Sequence, residues 1–308
     1  MNITLHQLRV FSVIVDKKSI TQASKELNMT QPAVSIQLKK LQDQFDIPLT
    51  EMIGRKLYIT DFGLELRRMG EKVLEEMEVI HYKAMEYKGV LSGKLSVSVV
   101  STGKYIMPFF LSGFLKKNPG VELRINVTNR SKVIRSLEDN EVDFSLVSVP
   151  PPSRLEVMEE IIMPNKWYLM APRDYPTGRQ VLDKSAFRNI PLIYREEGSG
   201  TRHMMQEYFS QANIIPKVRL ELEGDEAVKQ AVVAGLGLSI LSILTLKNEL
   251  KQKELKIIPI RGLPLKSNWR LIWLRRKSPS LVAQAYLDYL FRERASIYKT
   301  HFSWIESF

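Results

Sequence analysis

Residues 19–44 read SITQASKELNMTQPAVSIQLKKLQDQ. Ile20, Ala23 and Leu27 recur at helical spacing, Asn28 and Met29 interrupt, and Val34, Leu38 and Leu41 resume the period. Thr30 fits an N-cap for the second segment. Pro32 fits its first turn, where a missing N–H leaves nothing unpaired. The opposite face carries Gln31, Ser35, Gln37, Lys39 and Lys40, donors and acceptors sized for base edges and phosphates. This is the pattern of a helix-turn-helix whose second helix enters the DNA major groove. It equally fits a helical hairpin with a polar outer face in any α-helical domain, so the neighbours decide.

Three neighbours favour DNA. Leu5, Leu8, Phe11 and Val15 make a preceding amphipathic helix and complete a three-helix core. After the pair, IPLTEMIGRKLYITDFG (47–63) sets Gly54-Arg55-Lys56 as a basic turn between two β-prone pieces, which reads as a wing. The net charge is +11, which favours a polyanionic partner.

On these residues the chain resembles the LysR-type transcriptional regulators. QPAVSIQLKKLQ (31–42) is similar to the family's recognition helix, and PLTEMIGRKLYITDFG resembles its wing and the entry to its linker helix. The resemblance extends over about the whole length. Two departures stand out. The family wing usually reads Phe-x-Arg where this chain has Thr50-Glu51-Met52, and a polar or basic residue commonly stands where this chain has Ile36. Wing phosphate contacts therefore fall on Arg55 and Lys56.

A chain of 308 residues suggests two or three domains. At 44% hydrophobic and 26% charged it is an ordinary globular composition. No apolar run is long enough for a membrane span, and the N-terminus lacks the charged-then-apolar order of a secretory signal, so a cytoplasmic protein is expected. Cysteine is absent, which excludes disulfides, thiolate metal sites and Cys nucleophiles. His6, His81, His203 and His301 are scattered, so neither a metal nor a cofactor is expected.

From Asp61, Leu66, Gly70, Val73, Met77, Ile80, Ala84 and Tyr87 alternate at spacings of four and three, a short coiled-coil seam. The competing reading is a helix packed on its own domain. Beyond Gly93 the chain alternates strand, helix, strand: LSVSVV, STGKYIMPFFLSGFLKKNPGV, ELRINVTN, RSKVIRSLEDNE, VDFSLVSV. A second alternation begins near Trp167, continues through PLIYRE, a helix from about Thr201 and VRLELEG, and closes with a strand from Asn268 and a helix from Pro279 to about Arg294. That order is α/β and doubly wound. The expected organisation is an N-terminal all-α winged helix-turn-helix (1–60), a linker and dimerisation helix (61–92), and an effector domain (93–308). The effector domain divides into two α/β subdomains, 94–163 with 267–308, and 164–266. The family resemblance implies that this pair looks like a periplasmic binding protein.

Open α/β sheets bind ligands at the carboxyl ends of their strands. Those ends carry Ser101 and Thr102, Asn129 and Ser131, Ser148 and Val149, and the run EGSGTR with Ser199, Gly200, Thr201 and Arg202. In the last run a glycine-lined turn opens a helix, so free N–H groups, hydroxyls and a guanidinium converge on an anion site. A well-capped strand-to-helix turn is the plain alternative. STGKYIMP, Thr128-Asn129-Arg130 and EGSGTR look like the branch of the family that regulates carbon-fixation genes, which implies a small phosphorylated or carboxylated effector.

Catalysis is not expected: Ser199 lies outside a Gly-x-Ser-x-Gly elbow, and no acid is visibly set to orient His203. The expected function is a ligand-responsive regulator of promoter DNA. Gln31, Ser35 and Gln37 reach bases, Lys39, Lys40, Arg55 and Lys56 reach phosphates, and Thr30 does either, with Pro32 beside them. Its partners are double-stranded promoter DNA, a small anionic metabolite, and a second copy in a homodimer or, by resemblance, a homotetramer, with RNA polymerase a further candidate. A small-molecule binding protein for transport is the main rival.

Overall fold

Thr4 starts the first helix in the computed structural model. Its hydroxyl accepts from Gln7 N and the Gln7 side chain accepts from Thr4 N, a reciprocal cap. The structure describes residues 2–54, 56–86, 89–178 and 180–308, apart from the side chains of residues 75, 78, 81, 83, 85 and 86. Arg55 and Tyr87, two of the positions singled out above, lie outside the described residues. Two compact units are formed, Met1–Gly93 and Lys94–Phe308.

In the first unit, α1 (Leu5–Lys17), α2 (Ile20–Glu26) and α3 (Gln31–Gln42) follow in quick succession. Asn28 takes the left-handed backbone (φ 52°) that ends α2, and the Thr30 hydroxyl accepts from Ala33 N to start α3. Val10, Ile14, Ala23 and Val34 make one buried cluster, and Phe11, Val15, Leu41, Leu49 and Leu66 another. Gln42, the last residue of α3, donates to Ile47 O (3.0 Å) and accepts from Leu49 N (2.5 Å), tying α3 to the wing's approach. The wing is an antiparallel hairpin of β1 (Thr50–Ile53) and β2 (Lys56–Ile59), paired Ile53 to Lys56, with Gly54 at φ +64° in the turn.

Helix α4 (Asp61–Glu86) divides the expected seam. Leu66 is buried in the first unit's core, and Gly70 lets Leu8 of α1 pack closely against the helix. Val73, Met77 and Ile80, further along, are exposed. Arg67 bridges Asp16 and Glu71, fixing the near half of α4 to α1.

The second unit runs β3 (Ser92–Val100), a 3-10 turn at Ser101–Tyr105, α5 (Met107–Lys117), β4 (Gly120–Thr128), α6 (Arg130–Glu138), β5 (Phe144–Val147) and β6 (Val157–Pro172). It continues with a 3-10 turn at Lys184–Arg188, β7 (Pro191–Arg195), α7 (Gly200–Gln211), β8 (Lys217–Leu222), α8 (Asp225–Val233) and β9 (Ser239–Ser242). Then come α9 (Lys247–Gln252), β10 (Leu255–Ile257), β11 (Leu265–Leu274) and α10 (Leu281–His301).

The large sheet is mixed, in the order β10-β6-β11-β5-β3-β4, with β9 also on β6. β3 and β5 are parallel, while β11 is antiparallel to both β5 and β6. The alternation expected from sequence is therefore joined by a long antiparallel ribbon. β6 begins ten residues before the Trp167 start read from sequence. Glu159 and Glu160 mask its β pattern, and both are satisfied, by Arg270 (2.8 Å) and by Arg294. The first half of β6 pairs β11 and its second half pairs β9, so this strand runs through two lobes. One lobe holds β3, β4, β5, α5, α6 and α10 around Phe110, Phe114, Phe144 and Tyr286. The other packs β7, β8, α7 and α8 over Phe187, Leu192, Met205 and Phe209. α10 extends past Arg294 to His301, because Phe302 then stacks on Phe110 and anchors its end. Among the described residues no helix is long and apolar enough to cross a membrane.

Candidate functional site

On α3, Val34 and Leu41 face the core and Leu38 is part-buried, so the outward surface carries Gln31, Pro32, Ile36, Lys39 and Lys40. Ser35 and Gln37 flank that surface and are half-buried, and Lys56 is exposed at the wing's turn. Thr30 is exposed at the helix start.

In the second unit, parallel β3 and β5 end side by side. Ser101 and Thr102 follow β3, Ser148 and Val149 follow β5, and Asn129 caps α6 through its side chain, which accepts from Lys132 N (3.1 Å). From the other lobe, β7 ends at Arg195 and Ser199 stands at the N-cap of α7, where its hydroxyl makes no cap bond. These elements enclose one pocket lined by Ser101, Thr102, Asn129, Ser148, Val149, Ser199, Gly200 and Thr201, joined by Val100, Arg130, Val147 and Arg195. Ser131 and Arg202 instead line an adjoining outer cavity of about 270 Å³, with Glu197, Gly198, His203 and Gln206. Ser199 and Arg130 border both.

Two guanidiniums in the pocket, Arg130 and Arg195, are not among the effector-site residues expected from sequence. Arg195 is 2% exposed and bonds Glu196 through both carboxylate oxygens (2.8 and 2.9 Å). It also donates across the cleft to Ser101 Oγ (3.1 Å). Burial opposes ionisation of Glu196, but the bonds from Arg195, with Gly224 N donating as well, hold its carboxyl below the ordinary 4.5. Arg130 donates to Pro150 O (2.5 Å), while its Nε is buried with no partner. Burial alone lowers its pKa, because among the described residues no carboxylate compensates its charge. The signal available in the sequence was a charge at the carboxyl end of an otherwise apolar strand, PLIYR, and a basic residue after the Asn129 cap. Arg202 is occupied elsewhere: it pairs with Glu221 (2.6 Å), donates to Arg195 O (3.0 Å) and lies over the Tyr194 ring.

The enclosed pocket is about 10 Å³, room for roughly one water. Contacts across the cleft hold the lobes this close. Among them are Arg195 to Ser101, Ser131 N to Gly198 O (3.1 Å) with Ser131 Oγ donating to the same oxygen (3.5 Å), Tyr105 Oη to Glu226 Oε2 (3.2 Å) and Lys104 to Asp225 (3.5 Å). Any molecule larger than water would have to widen the cleft or replace part of this set to enter the pocket. Gly198 stands at φ +81°, and a Cβ there would lie 2.7 Å from Ser131 Oγ. Gly198→Ala is expected to cost about 1–2 kcal/mol in backbone strain, or roughly 2–8 °C of Tm, and to part the Ser131 contact. Differential scanning calorimetry checks the shift, and an unchanged Tm would show the turn to be slack.

His203 meets Ser199 through the helical bond from His203 N to Ser199 O (3.1 Å), which is not a nucleophile–base arrangement.

Residues 5–64 match the bacterial regulatory helix-turn-helix proteins of the lysR family, and residues 88–295 match the LysR substrate-binding domain. The HTH-type transcriptional activator CmpR of Synechocystis sp. is 35% identical over 94% of this chain and 95% of its own. The RuBisCO operon transcriptional regulator of Allochromatium vinosum is 35% identical over 97% and 99%. The regulatory domain of Synechocystis PCC6803 CcmR in complex with 2-PG superposes with a TM-score of 0.61 at 36% identity, covering 65% of this chain and 96% of that one. Full-length CbnR complexed with its target DNA shares the fold, with a TM-score of 0.72 at 18% identity over 94% of this chain and 99% of that one. The relatives are regulators, not enzymes, and this chain belongs to the LysR family of transcriptional regulators, with a DNA-binding helix-turn-helix followed by a substrate-binding domain.

Proposed function

We propose that the cleft of the second unit senses a small anionic metabolite and that its occupancy sets how the chain engages promoter DNA. The observation that carries this is Arg130: a desolvated guanidinium with an orphaned Nε, in a pocket that also presents the hydroxyls of Ser101, Thr102, Ser148, Ser199 and Thr201 and the start of α7. An anion there supplies the missing counter-charge and accepts the unused donor. The 36% identical CcmR domain was solved with 2-PG, which makes 2-PG the first ligand to try. Binding widens the pocket from its water-sized volume, so the ligand acts by favouring one arrangement of the lobes over another.

On the DNA side, α3 enters the major groove. Gln31, Ser35 and Gln37 reach base edges, Lys39, Lys40, Arg55 and Lys56 hold phosphates, and Thr30 and Pro32 sit at the helix entry. The exposed apolar residues Val73, Met77 and Ile80 support α4 as the pairing surface of a dimer. A dimer presents two α3 helices to two half-sites, in a tetramer two such pairs bind together, and RNA polymerase is met at the promoter, in the cytoplasm.

The test combines thermal shift with a mobility shift of the DNA upstream of the chain's own gene. 2-PG raises the Tm of the full chain, and Arg130→Met weakens that binding about 10- to 150-fold while DNA retention persists. A 2-PG response that survives Arg130→Met overturns the placement, and no response to 2-PG or inorganic phosphate overturns the anion reading.

A further inference from the structure

Ile36 is 52% exposed, while Val34, two positions earlier on the same helix, is fully buried. At about 100° per residue these two side chains leave α3 on opposite sides. Ile36 therefore stands in the middle of the outward face, with Pro32 one turn before it and Lys40 one turn after, and Lys39 alongside. The helix carries no acidic residue. Its outward centre is thus apolar and its flank cationic.

We infer that Ile36 is a specificity-determining residue that reads a thymine by its C5-methyl group. The inference rests on α3 being the helix that enters the major groove. Lys39 and Lys40 bring the helix against phosphates, which forces the residue between them and the turn onto the groove floor. A branched alkyl side chain there offers no donor or acceptor. Against a guanine or adenine edge it strips water from N7 and from O6 or N6 and gives nothing back. The thymine methyl is the one apolar group that the major-groove edges display, so it is the surface Ile36 covers without that loss. Gln31 and Gln37 serve hydrogen-bonding edges, and Ile36 selects by exclusion between them.

Replacing thymine with deoxyuracil removes the methyl and leaves every hydrogen-bonding group in place. The experiment takes the fragment that the full chain retains upstream of its own gene and substitutes each thymine of the footprint in turn. Binding is measured with the wild-type chain and with Ile36→Ala. One thymine in each half-site is expected to be sensitive, with binding about fourfold weaker per methyl lost. Ile36→Ala removes the sensitivity at that position alone, so deoxyuracil there adds no cost to that of Ile36→Ala. Ile36→Gln is expected to move the preference at the same position away from thymine. Ile36 is exposed and Ala favours helices, so the Tm of the variant stays at the wild-type value. Deoxyuracil tolerated everywhere, or a sensitivity that Ile36→Ala leaves intact, overturns the inference while α3 remains the DNA-binding helix. If no fragment is retained over random DNA, the groove reading of α3 fails first and Ile36 with it.

Discussion

Arg195→Ala is expected to destabilise the second unit by about 3–5 kcal/mol. The substitution leaves the Glu196 carboxylate, with 16% of its side chain exposed, without its bidentate partner, and it leaves Ser101 without the donor that joins the lobes. The loss comes from the stranded charge more than from the missing attraction, so removing both charges is expected to restore most of it. In Arg195→Met with Glu196→Gln, the amide oxygen still accepts from Gly224 N, as Glu196 does at 3.2 Å. The pH dependence distinguishes this from a simple packing defect. In the wild type the Glu196 carboxyl is held below 4.5, so its contribution is present above that value and is lost as pH falls through the lower folded value. In Arg195→Ala burial is left to act on the carboxyl without Arg195 and pushes the pKa upward, and protonation then relieves the strain. The deficit against wild type is therefore largest near neutral pH and shrinks toward pH 4. Urea denaturation of the full chain at pH 7 and pH 5 measures it. A deficit that is equal at both pH values, or a double variant no better than the single one, would show that the pair is not what holds this corner.

The helix-turn-helix was legible because every level of its sequence agrees. The apolar period, the Thr30 cap, Pro32 in the first turn and the left-handed Asn28 all specify the same short geometry. The strand-end positions around the cleft were legible for a related reason: Gly198, Ser199 and Thr201 advertise a strand-to-helix turn locally. What escaped depends on partners distant in the chain. Glu159 and Glu160 hid the first half of β6, since their partners Arg270 and Arg294 lie more than a hundred residues on. Arg202 drew attention as the charge after EGSGT, but β8 brings Glu221 to it, and a neighbour supplied by a parallel strand leaves no local trace. Arg195 reads as the end of a hydrophobic strand, and its bond to Ser101 spans 94 residues. The seam of α4 shows the same limit. Periodicity marks an apolar face but not which surface covers it, and Leu66 and Gly70 turn out to meet α1.

Gly63→Ala is expected to destabilise the DNA-binding unit selectively, against the usual sign for this substitution in a helix. In an open helix the change gains roughly 1 kcal/mol. Here Gly63 lies in the first turn of α4, and an added Cβ would be 2.3 Å from the Leu49 carbonyl oxygen and 3.0 Å from Ile59 Cγ2. The oxygen is backbone and already accepts from Thr60 N (3.1 Å). Thr60 in turn donates from its hydroxyl to Pro48 O (2.6 Å) and accepts from Gly63 N (3.0 Å), so the clash falls on the knot that joins wing, cap and helix. Relieving it means parting α4 from Leu49, which is fully buried. Overpacking of this kind costs about 1–3 kcal/mol, and breaking the Thr60 bond to Leu49 adds about 1 kcal/mol, which together outweigh the helical gain. Because Lys94–Phe308 is a separate compact unit, its own core is untouched. Calorimetry of the full chain is expected to show the transition of the first unit moving down while that of the second stays in place. Specific DNA retention at 37 °C is then weakened while the response of the second unit to its ligand persists. A first transition that stays put would mean that the turn from Pro48 to Gly63 yields more easily than its hydrogen bonds imply.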